Sequence, residues 1–422
     1  MNLHNWADAE RLKIAYALLP KDKQAVADRV FGAAHDQLLA FHRTGTATRN
    51  PSVPHQFLLA KSALTNDAHG VVNALPEPGA IEISVSPGGE IWGTGKYQQL
   101  DPGWVEAAGI WLEHFLVGKH KFPAGKPQIL QMPDQVTFAI AGDWGTGGFP
   151  PNPAPAIKIK DQIPNLKADY TIHLGDVYYA GTSGEETDNL INLWPAGSAG
   201  AFTLNSNHEM YSGAKPYFTE ALASPLFKLQ AGYSFFALEN TNWIVVGLDS
   251  AYFSNEDGAY LDGSLGTGTP DAAGQIDFLK EVAGRGKKVI VLSHHNGLQE
   301  DGSGPTTLWN QVMNAFPPDK PPAYWYWGHV HAGVVYVKQP NGVQGRCTGH
   351  AALPWGLATE LQNNKNVTWF ETRSANDPSD PKRVLNGYTK VRLDGASLHE
   401  EFFDENGNSA WKPEEAGAVA AT

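Results

Sequence analysis

The chain has 422 residues, 42% of them hydrophobic, with 13 Trp and 18 Phe, so it can build a large ordered core in one big domain or two. Its 31 basic and 44 acidic residues give a net charge of −13, and no run of lysine or arginine occurs. That balance argues against a general polyanion binder and makes long nucleic acid a poor partner, while leaving room for a small phosphorylated substrate held by metal ions.

From the amino terminus, residues 1–45 are rich in helix formers, and Val26, Val30, Ala33 and Leu38 fall close to helical spacing. The charges are spread through MNLHNWADAERLKIAYALLPKDK, which lacks the compact apolar core of a signal peptide. No run of about 18 apolar residues predicts a membrane-spanning helix. A single cysteine, Cys347, leaves no intrachain disulfide. Together these features predict a soluble cytoplasmic protein with no membrane segment.

Residues 79–98 alternate apolar and polar around Pro-Gly-Gly and read as a hairpin. Asp101-Pro102 offers an N-cap and a first-turn proline for a helix through Val117. Residues 119–127 look like a linker, so 1–125 reads as an accessory region of undisclosed role, followed by a main domain over 126–410 and a tail over 411–422. From about residue 134 short apolar runs alternate with helical segments. VTFAIAG, DYTIHLG, NWIVVGLD, KKVIVLSHH and YWYWGHVH are the predicted strands, with helices near 154–166, 210–223, 271–284 and 305–316. Such alternation predicts an α/β domain with buried strands. Two late segments, VVYVKQPNGVQGRC and YTKVRLDGASLHEEFFDENG, read as hairpins, so part of the sheet should be antiparallel. The Gly- and Ser-rich stretches 181–200 and 254–270 read as long loops over the strand ends.

Five short motifs carry the chemistry: GDWG (142–145), GDVYY (175–179), SNHE (206–209), VLSH (291–294) and GHVH (328–331). Asp143 and Asp176 each follow a glycine that ends an apolar run, where a turn brings no side chain to crowd an ion. Tyr179, three residues beyond Asp176, shares its face if the chain coils there. His329 and His331 are two apart and point to one side of an extended backbone. Taken singly, each motif has a plainer reading: a turn, a pair of packing tyrosines, or polar residues at a strand end. In this order and context, Asp143, Asp176, Tyr179, Asn207, His294, His329 and His331 read as the wall of one two-metal site.

The motifs resemble those of the calcineurin-like metallophosphoesterases, and within them the purple acid phosphatases, whose pattern is GDxG, GDxxY, GNH(E/D), VxxH and GHxH. The resemblance covers roughly residues 134–350, and the one departure is Ser206, where the family has glycine. The branch rests on an exchange: the histidine that most of the superfamily places two residues after the first aspartate is Gly145 here, while Tyr179 stands where the branch supplies a tyrosinate.

The resemblance implies a sandwich of two mixed β-sheets flanked by helices. It implies one ion held by Asp143, Asp176, Tyr179 and His331, and a second held by Asp176, Asn207, His294 and His329, with Asp176 bridging. Two carboxylates and a phenolate suit Fe(III); the second set suits Zn(II), Fe(II) or Mn(II). Against ions of 3+ and 2+, these anions and a bridging hydroxide leave a small positive remainder that attracts a phosphate ester. The implied reaction is hydrolysis by a metal-activated hydroxide attacking phosphorus in line. His208 would contact the phosphate or protonate the leaving oxygen, or else orient Asn207, and His295 is a weaker catalytic candidate. His173 reads as buried and hydrogen-bonded, His350 as a distant candidate, and Trp144, Trp325 and Trp327 as core or cleft wall. A phosphomonoesterase is the leading expectation. The rivals are a phosphodiesterase on the same site and a non-catalytic interaction module. The segment GSLGTGTP (263–270) lacks the Lys-Ser/Thr ending of a P-loop.

Overall fold

The computed structural model describes residues 3–65, 83–150 and 153–413. Two mixed sheets face each other. The first contains β3 (Leu130–Gln131), β7 (Phe236–Glu239), β8 (Trp243–Leu248), β9 (Lys288–Ser293), β10 (Tyr324–Trp327), β11 (Gly333–Tyr336), β12 (Gln344–Thr348) and β13 (Val367–Phe370). Their spatial order is β13-β11-β12-β10-β9-β8-β7-β3, with β8, β9, β10 and β12 mutually parallel. The second contains β4 (Gln135–Ala141), β5 (Tyr170–His173), β6 (Gly200–Thr203), β14 (Gly387–Asp394), β15 (Ser397–Asp404) and β16 (Ser409–Trp411). Here the order is β16-β15-β14-β4-β5-β6, with β4, β5 and β6 parallel and the rest antiparallel.

All five predicted strands are present, as are both late hairpins, β11–β12 and β14–β15. The period of two decides which side chain goes where. Val136, Phe138 and Ile140 of β4 meet Val245, Ile290 and Leu292 of the opposite sheet in the inter-sheet core, while Ala139 and Ala141 belong to the helix-covered side. Five strands lay outside the expectation: β3, β6, β7, β13 and β16. Segment β6 fell at the end of a predicted loop, because Gly-Ala-Phe-Thr closes a Gly- and Ser-rich stretch and lacks the aromatic and β-branched run that marks β5 and β10.

A buried ion pair crosses the sandwich. Arg346 of β12 forms a forked pair with Glu400 of β15, at 2.6 Å for Nη2–Oε1 and 2.9 Å for Nε–Oε2, and Tyr326 of β10 donates to the same carboxylate at 2.7 Å. Both charged side chains are almost wholly buried. Removing one partner leaves an uncompensated buried charge, so Glu400→Ala is expected to cost about 3–5 kcal/mol in urea unfolding. A cost below about 1 kcal/mol, the scale of a solvated surface pair, would show that water reaches Arg346.

In the amino-terminal region, α1 (Leu3–Leu18) and α2 (Lys21–Thr44) break at Pro20, and α2 ends at Gly45 in the left-handed conformation, its N–H on Phe41 O. The buried face of α2 carries Val30, Phe31, Ala34, Leu38 and Phe41, whereas Ala33, expected to face inward, is exposed. After α3 (Ala60–Thr65), the predicted hairpin appears as β1 (Ser84–Val85) paired with β2 (Ile91–Trp92); its residues 79–82 lie outside the described residues, as do 414–422 of the tail. Helix α4 (Trp104–Val117) starts two residues later than Asp101-Pro102 suggests, with Gly103 at its cap, while the Asp101 carboxylate accepts the N–H of Tyr97 and of Gly103. Residues 119–127 have no regular structure but are strapped down, with His120 stacked on Phe218 and Phe122 against Tyr252 and Phe253.

The main domain's helices include α5 (Pro155–Gln162), α6 (Asn207–Tyr211), α7 (Ala273–Gly284) and α8 (Thr307–Met313), and the expected loop over 181–200 contains a helical stretch at 183–191. The expected helix over 210–223 is instead the short α6 followed by a π-helical turn at Tyr217–Ala221. Among the described residues no helix is long and apolar enough to cross a membrane.

Candidate metal centre

Parallel strands deliver their carboxyl ends to one place. Asp143 lies just beyond β4, Asp176 beyond β5, Asn207 beyond β6, His294 beyond β9 and His329 beyond β10. Three of these turn with left-handed backbones: Asp143 at φ 59°, Asp176 at 77° and His329 at 65°. Non-glycine residues rarely adopt that conformation, and such strain collects at functional sites. Close approach dictates the glycines beside them. A Cβ on Gly328 would stand 2.5 Å from Asp143 Oδ2. A Cβ on Gly145 would stand 2.5 Å from the Asp176 carbonyl, so no histidine could be built there as the wider superfamily has it.

Two groups of ligating side chains result, each with its donor atoms within 4.8 Å of one another: Asp143, Asp176 and His331, and His294, His295 and His329. In the first, His331 Nε2 lies 3.2 Å from Asp143 Oδ1 and 3.9 Å from Asp176 Oδ2. In the second, His294 Nε2 lies 2.8 Å from Asn207 Oδ1, 3.2 Å from His329 Nδ1 and 3.4 Å from Asp176 Oδ1. Asp176 therefore turns one oxygen to each group.

Donors about 2.0–2.2 Å from a shared ion stand about 3.0–3.4 Å apart, close to the spacing here. Proton accounting makes the same point. His294 Nδ1 donates to Leu174 O at 3.0 Å, so Nε2 presents a bare lone pair. Asn207 uses its Nδ2 toward Tyr211 OH at 3.3 Å, which turns its Oδ1, also an acceptor, toward that lone pair. Lone pairs converging without protons are resolved by a cation, so the residues fit a metal.

The electrostatics agree. Burial pushes the pKa of His294 down to about 3 and of His329 well below its usual value, leaving both as neutral ligands. Burial and the neighbouring Asp176 raise Asp143 well above the carboxylate range. Burial would also raise Asp176, but His294, His208 and His331 hold it well below. Burial opposes charge on His331, yet Asp143 and Asp176 outweigh it and its pKa rises to about 9.

Of the seven side chains singled out in the sequence, six come together. Tyr179 stands apart: its hydroxyl donates to Asp101, and its ring packs against Tyr97 and Trp104. The neighbouring Tyr178 takes the inward place, donating to Asp176 Oδ2 at 2.7 Å with its oxygen 3.3 Å from His331 Nε2. Burial, Asp176 and Asp143 push the Tyr178 pKa well up, so the hydroxyl keeps its proton until a cation offsets those carboxylates.

His208 donates through Nδ1 to Tyr179 O at 2.7 Å, and its buried Nε2 has no protein partner. His295, by contrast, is satisfied at both nitrogens: Nδ1 accepts from Ser250 Oγ at 2.9 Å and Nε2 donates to Tyr260 O at 2.8 Å. Although it lies near His294 and His329, it has no free donor for an ion or substrate, and it ties the 250–266 loop to the site. His173 is buried and paired with Thr203, as expected. His350 lines a small buried cavity with His331 and Trp355 without touching the donor atoms. Trp144, Trp325 and Trp327 are fully buried in the core.

Sequence reading missed three participants besides Tyr178. Trp355 sets its ring edge-on to His331, with centroids 4.5 Å apart. Asp101, far away in sequence, holds Tyr179. Ser206, the departure from glycine, caps α6 by accepting His208 N–H at 3.0 Å and places its hydroxyl against both Asp176 and Glu209.

Residues 136–333 match the family model described as calcineurin-like phosphoesterase. The comparison with curated proteins gives no match. Among solved structures the chain is similar to GAP50, the anchor in the inner membrane complex of Plasmodium, at 12% identity over 66% of this chain and 88% of that one, with a TM-score of 0.47. It is also similar to a dimetal phosphatase from Danio rerio, at 12% identity over 65% and 97% of the two chains and a TM-score of 0.40. A predicted phosphoesterase from Streptococcus pneumoniae matches at 10% identity over 66% and 94%, with a TM-score of 0.27. Residues 136–333, with the candidate metal ligands gathered at their strand ends, thus form a calcineurin-like phosphoesterase domain.

Proposed function

We propose that this chain is a two-metal hydrolase of small phosphate monoesters. The observation that carries the reading is Asp176, whose two oxygens face two separate sets of donors. One ion would be held by Asp143, Asp176, His331 and Tyr178, the other by Asp176, Asn207, His294 and His329. The first set, with two carboxylates and a phenol, favours Fe(III); the second, with two imidazoles and an amide oxygen, favours Zn(II), Fe(II) or Mn(II). When bound, such a pair supplies the activated water and the positive charge for in-line phosphoryl transfer. Ser206 holds the Asp176 carboxylate, the glycines at 145 and 328 leave room for the two aspartates, and His208 offers its unpartnered Nε2 to the phosphoryl or leaving oxygen.

The test is elemental analysis beside turnover on a monoester and a diester. Two ions per chain, one of them iron, with faster monoester hydrolysis are expected. Faster diester hydrolysis would overturn the monoester preference, and a metal-free, inactive protein the whole reading. Dialysis against a chelator is expected to remove activity, with recovery on adding the two metals back.

A further inference from the structure

GDVYY puts two tyrosines side by side next to the candidate bridging ligand, and either could offer a phenol oxygen. The structure separates them by giving each its own carboxylate. Tyr178 OH goes to Asp176, inside the centre, and Tyr179 OH goes to Asp101, outside it. Asp101 is itself fixed, with Oδ2 accepting Tyr97 N–H at 2.6 Å and Oδ1 accepting Gly103 N–H at 3.0 Å. The surrounding backbone is moulded to the Tyr179 ring, since a Cβ on Gly103 would come within 2.5 Å of the Tyr179 hydroxyl. Tyr97 and Trp104 pack on the ring with centroids 4.7 Å away, and Lys96 Nζ sits 4.3 Å from its centre. On the far side, the carbonyl of the same Tyr179 holds His208.

We propose that residues 96–104 of the amino-terminal region are a clamp belonging to the metal centre, with Asp101 as its positioning residue: holding Tyr179 outside presents Tyr178 to the first metal and aims His208. The clamp rests on the two-metal reading above. It makes the amino-terminal region a working part of the site, supplying a partner that orients ligands from beyond their own strands. Loss of Asp101 leaves the buried Tyr179 hydroxyl without its acceptor and free to compete with Tyr178.

The test uses the full chain, stripped with a chelator and reloaded with Fe(III) and then Zn(II). The readouts are the visible iron–phenolate band and iron affinity by chelator competition. Tyr178→Phe is expected to bleach the band and Tyr179→Phe to keep it. Asp101→Ala is expected to shift or dim the band and weaken iron binding by about tenfold or more, the usual scale for losing an outer partner of a metal ligand. Adding Tyr179→Phe to Asp101→Ala removes the competitor and is expected to restore the band, which a merely structural defect would not do. Asp101→Asn, close in shape but short of one acceptor oxygen, gives the same direction should the alanine variant not fold. A band lost in Tyr179→Phe and kept in Tyr178→Phe overturns the clamp, as does an Asp101→Ala protein equal to wild type in both readouts. A wild type that binds two ions and hydrolyses esters with no such band also sinks the clamp alone; one that binds no metal and hydrolyses nothing sinks the two-metal reading with it.

Discussion

Asp176→Asn is expected to empty both metal positions and lower phosphate-ester turnover by about a thousandfold or more, each factor of ten being about 1.4 kcal/mol of lost transition-state stabilisation. The reason is geometric. One Asp176 oxygen faces His294 at 3.4 Å and the other stands 2.7 Å from the Tyr178 hydroxyl. An amide replaces one of these acceptors with an N–H₂ pointing at the other donors and removes the negative charge between two cations. Asp143 offers its oxygens as ligands to one group only, though they also accept the backbone N–H of His329 at 2.8 and 3.1 Å, so its substitution should cost the first ion most. Elemental analysis of the purified variant beside turnover checks this. Full activity with two ions retained would break the bridging assignment.

The second large effect is expected at His208. His208→Ala should lower turnover by about 10²–10⁴-fold on an ester with a poor leaving group, the range for general acid–base catalysis. An activated aryl ester, whose leaving oxygen needs no proton, should lose far less. Metal content should stay at the wild-type level. With the Nδ1 proton given to Tyr179 O, Nε2 can serve the leaving oxygen only when it too is protonated, and arrival of an anionic phosphate favours that form. The rival role, orienting Asn207, predicts lost metal and equal losses on both esters. Asn207 is held by Tyr211 rather than by His208, which favours the first outcome.

Much of this arrangement was legible in the sequence because it is local. A run of aromatic and β-branched residues marks a strand, and a ligand placed one to three residues past a strand end travels with it. The motifs around Asp143, Asp176, His294 and His329 are therefore readable without tertiary structure. Segment β6 was not readable, because Gly-Ala-Phe-Thr carries no such run and its identity comes from pairing with β5. His295 illustrates a different limit. Beside a ligand in sequence, it reads as a site residue, yet Ser250 and Tyr260, more than thirty residues earlier, consume both its nitrogens.

The pair at 178–179 marks the boundary most clearly. Composition, strand period and motif spacing determined an α/β domain with six candidate metal ligands at its strand ends, since each of those depends on a few bonds of chain geometry. Which tyrosine turns inward depends on Asp101, which is 78 residues away and enters the site only when the amino-terminal region packs against it. Buried polar groups must find partners, and a partner brought by folding leaves no trace in local spacing. Only the tertiary structure could decide between two adjacent hydroxyls, by giving each one a different carboxylate.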